Sequence, residues 1–346
     1  MAKAHSLMPL LCAAPLVIAL SAGLTGRALA QCPPTFAPAT YWSVGSPYSV
    51  GVGDFNNDGR PDIVGANFSG SNATVRLASA ITPGSYDGPI NIALGLNPRG
   101  CAVADFNHDG IADIAVVYNG GGPANTKLAI IISNGNGSFQ APVLYATASQ
   151  PFDVKIADFN HDNNPDIAVV CGCGSISVHL GNANGTFQPY TSHAAGSNAS
   201  GLAIADFNGD GVLDMFIPSY GSLNIRGAVG LTDAPTFGPL LTHGNAGLFG
   251  PWQAAAGDFN EDGRADAVVS FRVTSRLAVQ LGNADGTMTA IAGPYAGNQP
   301  QDVVAADFNG DGHLDVAVGN WTQSNVTVHL GDGTGALGNT ANYYAV

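Results

Sequence analysis

Asp54-Phe55-Asn56-Asn57-Asp58-Gly59-Arg60-Pro61-Asp62 is the first of six in-register copies of one nine-residue stretch; the others begin at Asp105, Asp158, Asp206, Asp258 and Asp307. Every copy has Asp at position 1, Phe at 2, Asn at 3, Asp at 5 and Asp at 9; position 6 is Gly except for Asn163 in the third. Alternate oxygen-bearing side chains around a tight turn are the pattern of a Ca²⁺ loop, because Ca²⁺ takes 6–8 hard oxygen ligands. Gly supplies the left-handed conformation that such a turn requires, and Asn is the next most tolerant residue. Position 7 varies in type, which fits a ligand given by its backbone carbonyl. The candidate ligands are therefore Asp54, Asn56, Asp58, Arg60 and Asp62 in loop one, and Asp105, Asn107, Asp109, Ile111 and Asp113 in loop two. Loop three offers Asp158, Asn160, Asp162, Asn164 and Asp166, and loop four Asp206, Asn208, Asp210, Val212 and Asp214. Loops five and six offer Asp258, Asn260, Asp262, Arg264 and Asp266, then Asp307, Asn309, Asp311, His313 and Asp315. An EF-hand carries Glu at position 12 and continues as a helix; here Asp at 9 closes the loop and an apolar run follows at once, so the loop leads into a strand. A metal-free Asx turn is the competing reading of any single copy. Six copies in register favour up to six Ca²⁺ sites, with the third weakened by Asn163.

Loop starts are separated by 51, 53, 48, 52 and 49 residues. A period near fifty indicates a stacked or radial array rather than independent domains. Within a repeat, one apolar run enters the loop (Cys101 to Ala104) and another leaves it (Ile114 to Val117). A third follows (Leu128 to Ile132), then a Gly/Asn turn such as Asn182 to Phe187, then a fourth extended run. No helical periodicity competes. Four short strands per unit, repeated radially, predict an all-β fold, a β-propeller of four-stranded blades with the calcium loop between the first and second strands. Phe36 to Val44 reads as a lone fourth strand that closes the ring against the last blade. The count is six blades, with seven as the alternative, because the segment ahead of the first loop is too short for four more strands.

These loops, each followed by an apolar strand and a later Gly-Asn-x-x-Gly-Thr-Phe-like turn, resemble FG-GAP/VCBS repeats, the blades of the integrin alpha-subunit propeller and of some secreted lectins. The resemblance covers nearly all of the chain from Phe36 onward. It implies the propeller fold and calcium, and leaves activity open, since one scaffold hosts many functions. Asn163 and the altered turns of repeats one (Ala78 to Gly88) and four (Leu231 to Gly238) depart from the pattern.

Ahead of the repeats, Lys3 and His5 precede an apolar stretch from Leu7 to Leu24, and Ala28-Leu29-Ala30 is a small-residue cleavage signature. Residues 1–30 read as a secretory signal peptide rather than a membrane anchor, since Pro9 and Pro15 interrupt the stretch and no basic flank follows. Residues 31–346 are then one propeller domain, secreted to the extracellular space or the periplasm, with no transmembrane segment. Net charge is −14, and most of the 25 acidic residues lie in the loops, three aspartates in each. Two positive charges per bound Ca²⁺ would offset most of that, so the acidity is metal-ligand charge. The chain lacks a basic stripe, which excludes nucleic acid as a partner. An oxidising compartment allows Cys32, Cys101, Cys171 and Cys173 to form disulfides in any of three pairings.

A second pattern lies at the other end of each repeat. Phe68, Tyr118, Tyr220, Phe271 and Trp321 fall 13 or 14 residues after their loop's first Asp, and Tyr48, Phe152 and Trp252 fall six before one. In an up-and-down blade both connections lie opposite the calcium loops, with Arg99, Asn198, Asn298, Gln299 and Asp302 nearby. Aromatic platforms with amide neighbours suit sugars or peptide side chains; the competing reading is packing between blades. The candidate ligand residues are Tyr220, Trp252, Phe271 and Trp321. Phe at loop position 2 reads as a plug under each loop. His108 and His161, at position 4, are expected to face solvent, and His179 and His329 to pack in third strands. No nucleophile–base constellation is visible. The reading is therefore an exported calcium-binding module for a glycan or extracellular protein ligand, lectin-like or adhesive. The alternatives are an extracellular polysaccharide lyase or hydrolase on the same scaffold, or a structural surface protein.

Overall fold

A computed structural model of the chain describes residues 47–120, 126–220, 222–228, 237–338 and 341–345. The expected signal peptide, Cys32, the Phe36 to Val44 strand and most of the Leu231 to Gly238 turn lie outside the described residues. All regular structure among them is β. Twenty-four strands form six four-stranded antiparallel sheets, each in simple sequence order, the arrangement of a β-propeller. The first sheet contains Pro47–Gly53, Asp62–Asn67, Asn72–Arg76 and Ile90–Ala93. The last contains Pro300–Ala306, Asp315–Asn320, Asn325–His329 and Ala341–Ala345, so the C-terminal strand is outermost there. No helix among the described residues is long and apolar enough to cross a membrane.

The second strands show why these residues form sheets buried on both faces. In Asp113–Asn119, Ile114 and Val116 pack toward sheet one while Ala115 and Val117 pack toward sheet three. Successive side chains of a strand point to opposite faces, so a near-continuous apolar run serves two neighbours at once. Five hydrophobic clusters result, one between each pair of consecutive sheets. The seam between sheets six and one differs: Val52 of sheet one and Val304 of sheet six remain 60 % and 51 % exposed.

All six second strands begin at the position-9 Asp of their loop. The loops are also clamped by the next sheet. Ser133 Oγ donates to the Phe55 carbonyl at 2.7 Å, and the Gly185 and Gly335 amides donate to the Phe106 and Phe259 carbonyls at 2.9 and 2.8 Å. The position-2 Phe is buried in the first five loops, and in loops one to three it meets an aromatic ring of the next sheet edge-on, Phe106 lying 5.4 Å from Phe187. Phe308, at the open seam, is only half-buried.

The cysteines correct an expectation. Cys101, Cys171 and Cys173 are all unpaired. Burial pushes the Cys101 thiol up to about 11 and the Cys171 thiol up to about 12, so both sit as small apolar side chains in the sheets.

Candidate functional site

Each sheet presents a loop at one end and two connections at the other, and the two ends differ in chemistry. At the loop end, the backbone is folded by the side chains the sequence singled out. In loop two, Asp105 accepts the Asp109 and Gly110 amides at 3.1 and 2.7 Å, Asn107 accepts the Asp109 amide, and Asp109 accepts the Ile111 amide at 2.9 Å. Loop three is the same: Asn163 adopts φ 64° and donates to Asp158 at 2.8 Å, as Gly does elsewhere. The expected weakening there has no geometric basis. Backbone N–H donors, led by Gly312, hold the Asp307 carboxyl below its usual value.

Asp at position 9 has a role the sequence did not reveal. Asp113 is fully buried, and its two oxygens accept the Phe106 amide at 3.0 Å and the Ser133 amide at 2.8 Å. The same double acceptance by Asp62, Asp166, Asp266 and Asp315 ties loop, second strand and third-strand end together. Burial pushes Asp113, Asp166 and Asp266 up to about 6; the amides oppose this, and the loop's other carboxylates add to it.

The donor set fits a hard divalent cation: oxygens of Asp 1, Asn 3 and Asp 5 with the carbonyl at 7, and no soft ligand. Among the described residues, though, no group of three or more carboxylate, His or Cys side chains is drawn together around one point. In every loop the Asn amide nitrogen donates to the position-5 Asp, as Asn107 does to Asp109 at 2.9 Å. In loops one and five a guanidinium, Arg60 or Arg264, pairs with that same carboxylate. Neighbouring loops touch. His108, exposed as expected, bonds Asn164 of the next loop at 3.0 Å, and Glu261 pairs with His313. His179 and His329 are buried in third strands as expected.

At the opposite end, strand parity divides the aromatic set. Residues 13 after the first Asp point inward: Tyr118 is 6 % exposed and Phe271 0 %. Phe271 therefore belongs to the core between sheets four and five and is not available to a ligand. Residues 14 after the first Asp point outward, and Tyr220 and Trp321 are 60 % and 65 % exposed. Their amides are fixed by the carbonyls of Asn198 and Gln299, at 3.2 and 3.1 Å. Those two residues hold positive φ just before their sheet's first strand.

Tyr48, Phe152 and Trp252 converge near the axis. Ring centroids lie 5.7 Å apart for Tyr48–Phe152 and 5.2 Å for Phe152–Trp252, both edge-on. Three cavities surround them. One of about 490 Å³ is lined by Arg99, Asn119, Gln150, Asn198, Ser200, Tyr220 and Trp252. A second, of about 650 Å³, is lined by Tyr220, Trp252, Arg272, Asn298, Gln299 and Thr322. The central one, about 330 Å³, runs among the first strands and holds Asp153, Lys155, Gln253 and Asp302 beside Trp252 and Trp321. Lys155 pairs with Asp153 at 3.3 Å. Asp302 is exposed on the first strand of its sheet, facing the same cavity. The predicted neighbours Arg99, Asn198, Asn298, Gln299 and Asp302 are thus brought together, with Trp252 on all three cavities. Sequence reasoning missed Asn119, Arg272, Asp153 and Lys155; the first two share the sequence offset of Tyr220 and Trp321, a signal that was there to be read.

Residues 54–116, 105–169, 164–217 and 258–318 match the family described as FG-GAP-like repeat, more than half of the chain. No curated protein matches the sequence. Among solved structures, the chain is similar to an Agrocybe aegerita lectin that recognises non-reducing terminal N-acetylglucosamine, at 20% identity and TM-score 0.58 over 85% of this chain and 79% of that one. It is similar to the periplasmic gluconolactonase PpgL of Pseudomonas aeruginosa, at 16% identity and TM-score 0.61 over 87% and 85%. It is also similar to the BP39L lectin of Burkholderia pseudomallei, at 16% identity and TM-score 0.51 over 86% and 99%. At these identities the likeness is one of fold.

Proposed function

The chain belongs to the FG-GAP-like repeat family, and from that premise we propose that it is an exported, calcium-binding propeller whose aromatic end binds carbohydrate. The observation that carries the reading is the gathering of Tyr220, Trp252 and Trp321 with amide side chains around three contiguous cavities. Exposed indole and phenol faces give apolar stacking surface, and the amides supply donors and acceptors for hydroxyl groups. Two of the structural neighbours named above are lectins, which agrees with this use of the scaffold. The loops are the calcium sites in this reading, with Asp 1, Asn 3, Asp 5 and the carbonyl at 7 as the ligands nearest the loop mouth. Residues 1–30 direct export, and the six sheets make the whole ring around the central cavity. A glycan array probed with the purified chain, with and without chelator, tests the proposal. Binding to a sugar class that Trp252→Ala abolishes supports it; an array with no bound sugar overturns it.

A second reading has one observation in its favour. Asp153, Lys155 and Asp302 share the central cavity and lie within reach of one another's charge. A pair of carboxylates facing one cavity is the usual equipment of a glycan-cleaving site. Turnover of a bound polysaccharide that Asp302→Asn abolishes would establish the enzyme; binding without turnover leaves the lectin-like module.

A further inference from the structure

Two guanidiniums stand on the aromatic end without a counter-ion. Arg99 lies over three rings, 5.5 Å from the Tyr48 centroid, 5.3 Å from Phe68 and 4.7 Å from Phe152. Arg272 lies 4.7 Å over Trp252. Neither is among the ion pairs of the described residues, and the buried Nε of Arg99 has no hydrogen-bond partner. This is unusual in a chain with 25 acidic and 11 basic residues. The two larger cavities each contain one of these guanidiniums and no carboxylate, and they share Tyr220 and Trp252. The carboxylates of this end, Asp153 and Asp302, lie in the central cavity, which Arg99 also lines; Asp153 is paired there with Lys155 rather than with Arg99.

Stacking on a ring holds a guanidinium plane in place, so less freedom is lost when it binds. Its fork matches a carboxylate bidentately, the strongest pairing open to it. Resting on the carbohydrate reading above, we propose that the ligand of this end is an acidic saccharide, its carboxylates taken by Arg99 and Arg272 on either side of Trp252. The path from guanidinium to guanidinium through the two rings runs 4.7, 5.2 and 4.7 Å, so the forks are no more than about 15 Å apart. One short stretch of an acidic polymer can reach both.

The test uses the full chain and oligosaccharides containing glucuronate, galacturonate or mannuronate, each beside its carboxyl-reduced neutral counterpart, with poly-glutamate as a non-sugar polyanion. At least one acidic oligosaccharide should bind at least tenfold more tightly than its reduced form, with affinity falling as salt rises. Arg99→Gln and Arg272→Gln should each lose tenfold or more, equivalent to about 1.4 kcal/mol, with melting temperatures near that of the parent. If Arg99→Gln fails to fold because three rings lose their partner, Arg272→Gln decides. Equal binding of acidic and reduced forms overturns the proposal but leaves the carbohydrate reading standing. Equal binding of poly-glutamate overturns the saccharide assignment. Acidic binding that survives both Arg variants places the contact elsewhere, bridging calcium at the loops included, and also overturns it. Absence of binding to every sugar, neutral ones included, removes both readings.

Discussion

Phe271 and Tyr220 show how much one residue of register decides. They sit 13 and 14 positions after their loops' first Asp, and the single step turns one into the core and the other into solvent. The presence of aromatics at this end was legible in the sequence; their division was not, because both offsets were read as one set. Position 9 was legible as a carboxylate, but its double acceptance of backbone amides depends on a partner at the end of the third strand, 15 to 20 residues on, which spacing alone does not reveal. Asp113→Asn leaves one of two buried amides facing an NH₂ group. It should destabilise the protein by about 2–4 kcal/mol with or without chelator, measured by denaturant melts. Asp105→Ala should instead cost far less once calcium is removed. Equal responses of the two variants to chelator would make position 9 an ordinary metal ligand. Acid should act through the buried histidines. Burial pulls His179 down to about 4, against about 6.5 in the unfolded chain. The native state then binds fewer protons, so this stability is present above pH 6.5 and is lost as pH falls toward 4. His179→Phe should lose less melting temperature between pH 7 and 5 than the parent; an equal loss would show that His179 is not responsible.

At the scale of the loop and its strand, sequence was most informative, because loop, turn and strand are local and each is repeated six times. The strands start at the position-9 Asp as the apolar runs require, and the Phe plugs are buried where the next sheet covers them. What could not be read was the contact between repeats, such as His108 to Asn164 or Gly185 to Phe106, since these join residues about fifty to eighty apart. Under the proposed calcium assignment, loops clamped in this way would transmit metal binding to the whole sheet array. Calcium that binds only the folded chain adds about 2.7 kcal/mol per site at a hundredfold excess over its dissociation constant. Chelator should therefore lower the melting temperature by many degrees, and calcium should restore it. Loops one and five should bind most weakly, because Arg60 and Arg264 compete for the position-5 carboxylate. A melting curve unchanged by chelator would remove the calcium assignment.

Over the whole molecule, six sheets follow from six loops, while the unequal seams do not follow from repeat spacing. Five seams carry a hydrophobic cluster and the sixth leaves Val52 and Val304 exposed. Val52→Ser should cost less than about 0.5 kcal/mol, whereas Val116→Ser, buried between sheets one and two, should cost about 2–3 kcal/mol. Similar costs for both would mean that the last seam is closed in solution. In the function proposed here the two ends of the propeller divide the work, with calcium loops holding the sheets at one and a stacked aromatic surface meeting the ligand at the other. The paired measurement of stability and glycan binding on Trp321→Ala tests that division most directly. The account predicts a melting temperature within a degree or two of the parent, still calcium-dependent, with binding lost. A stable variant that binds as well as the parent, or a loss of about 3–5 kcal/mol as expected for a packed indole, would contradict it.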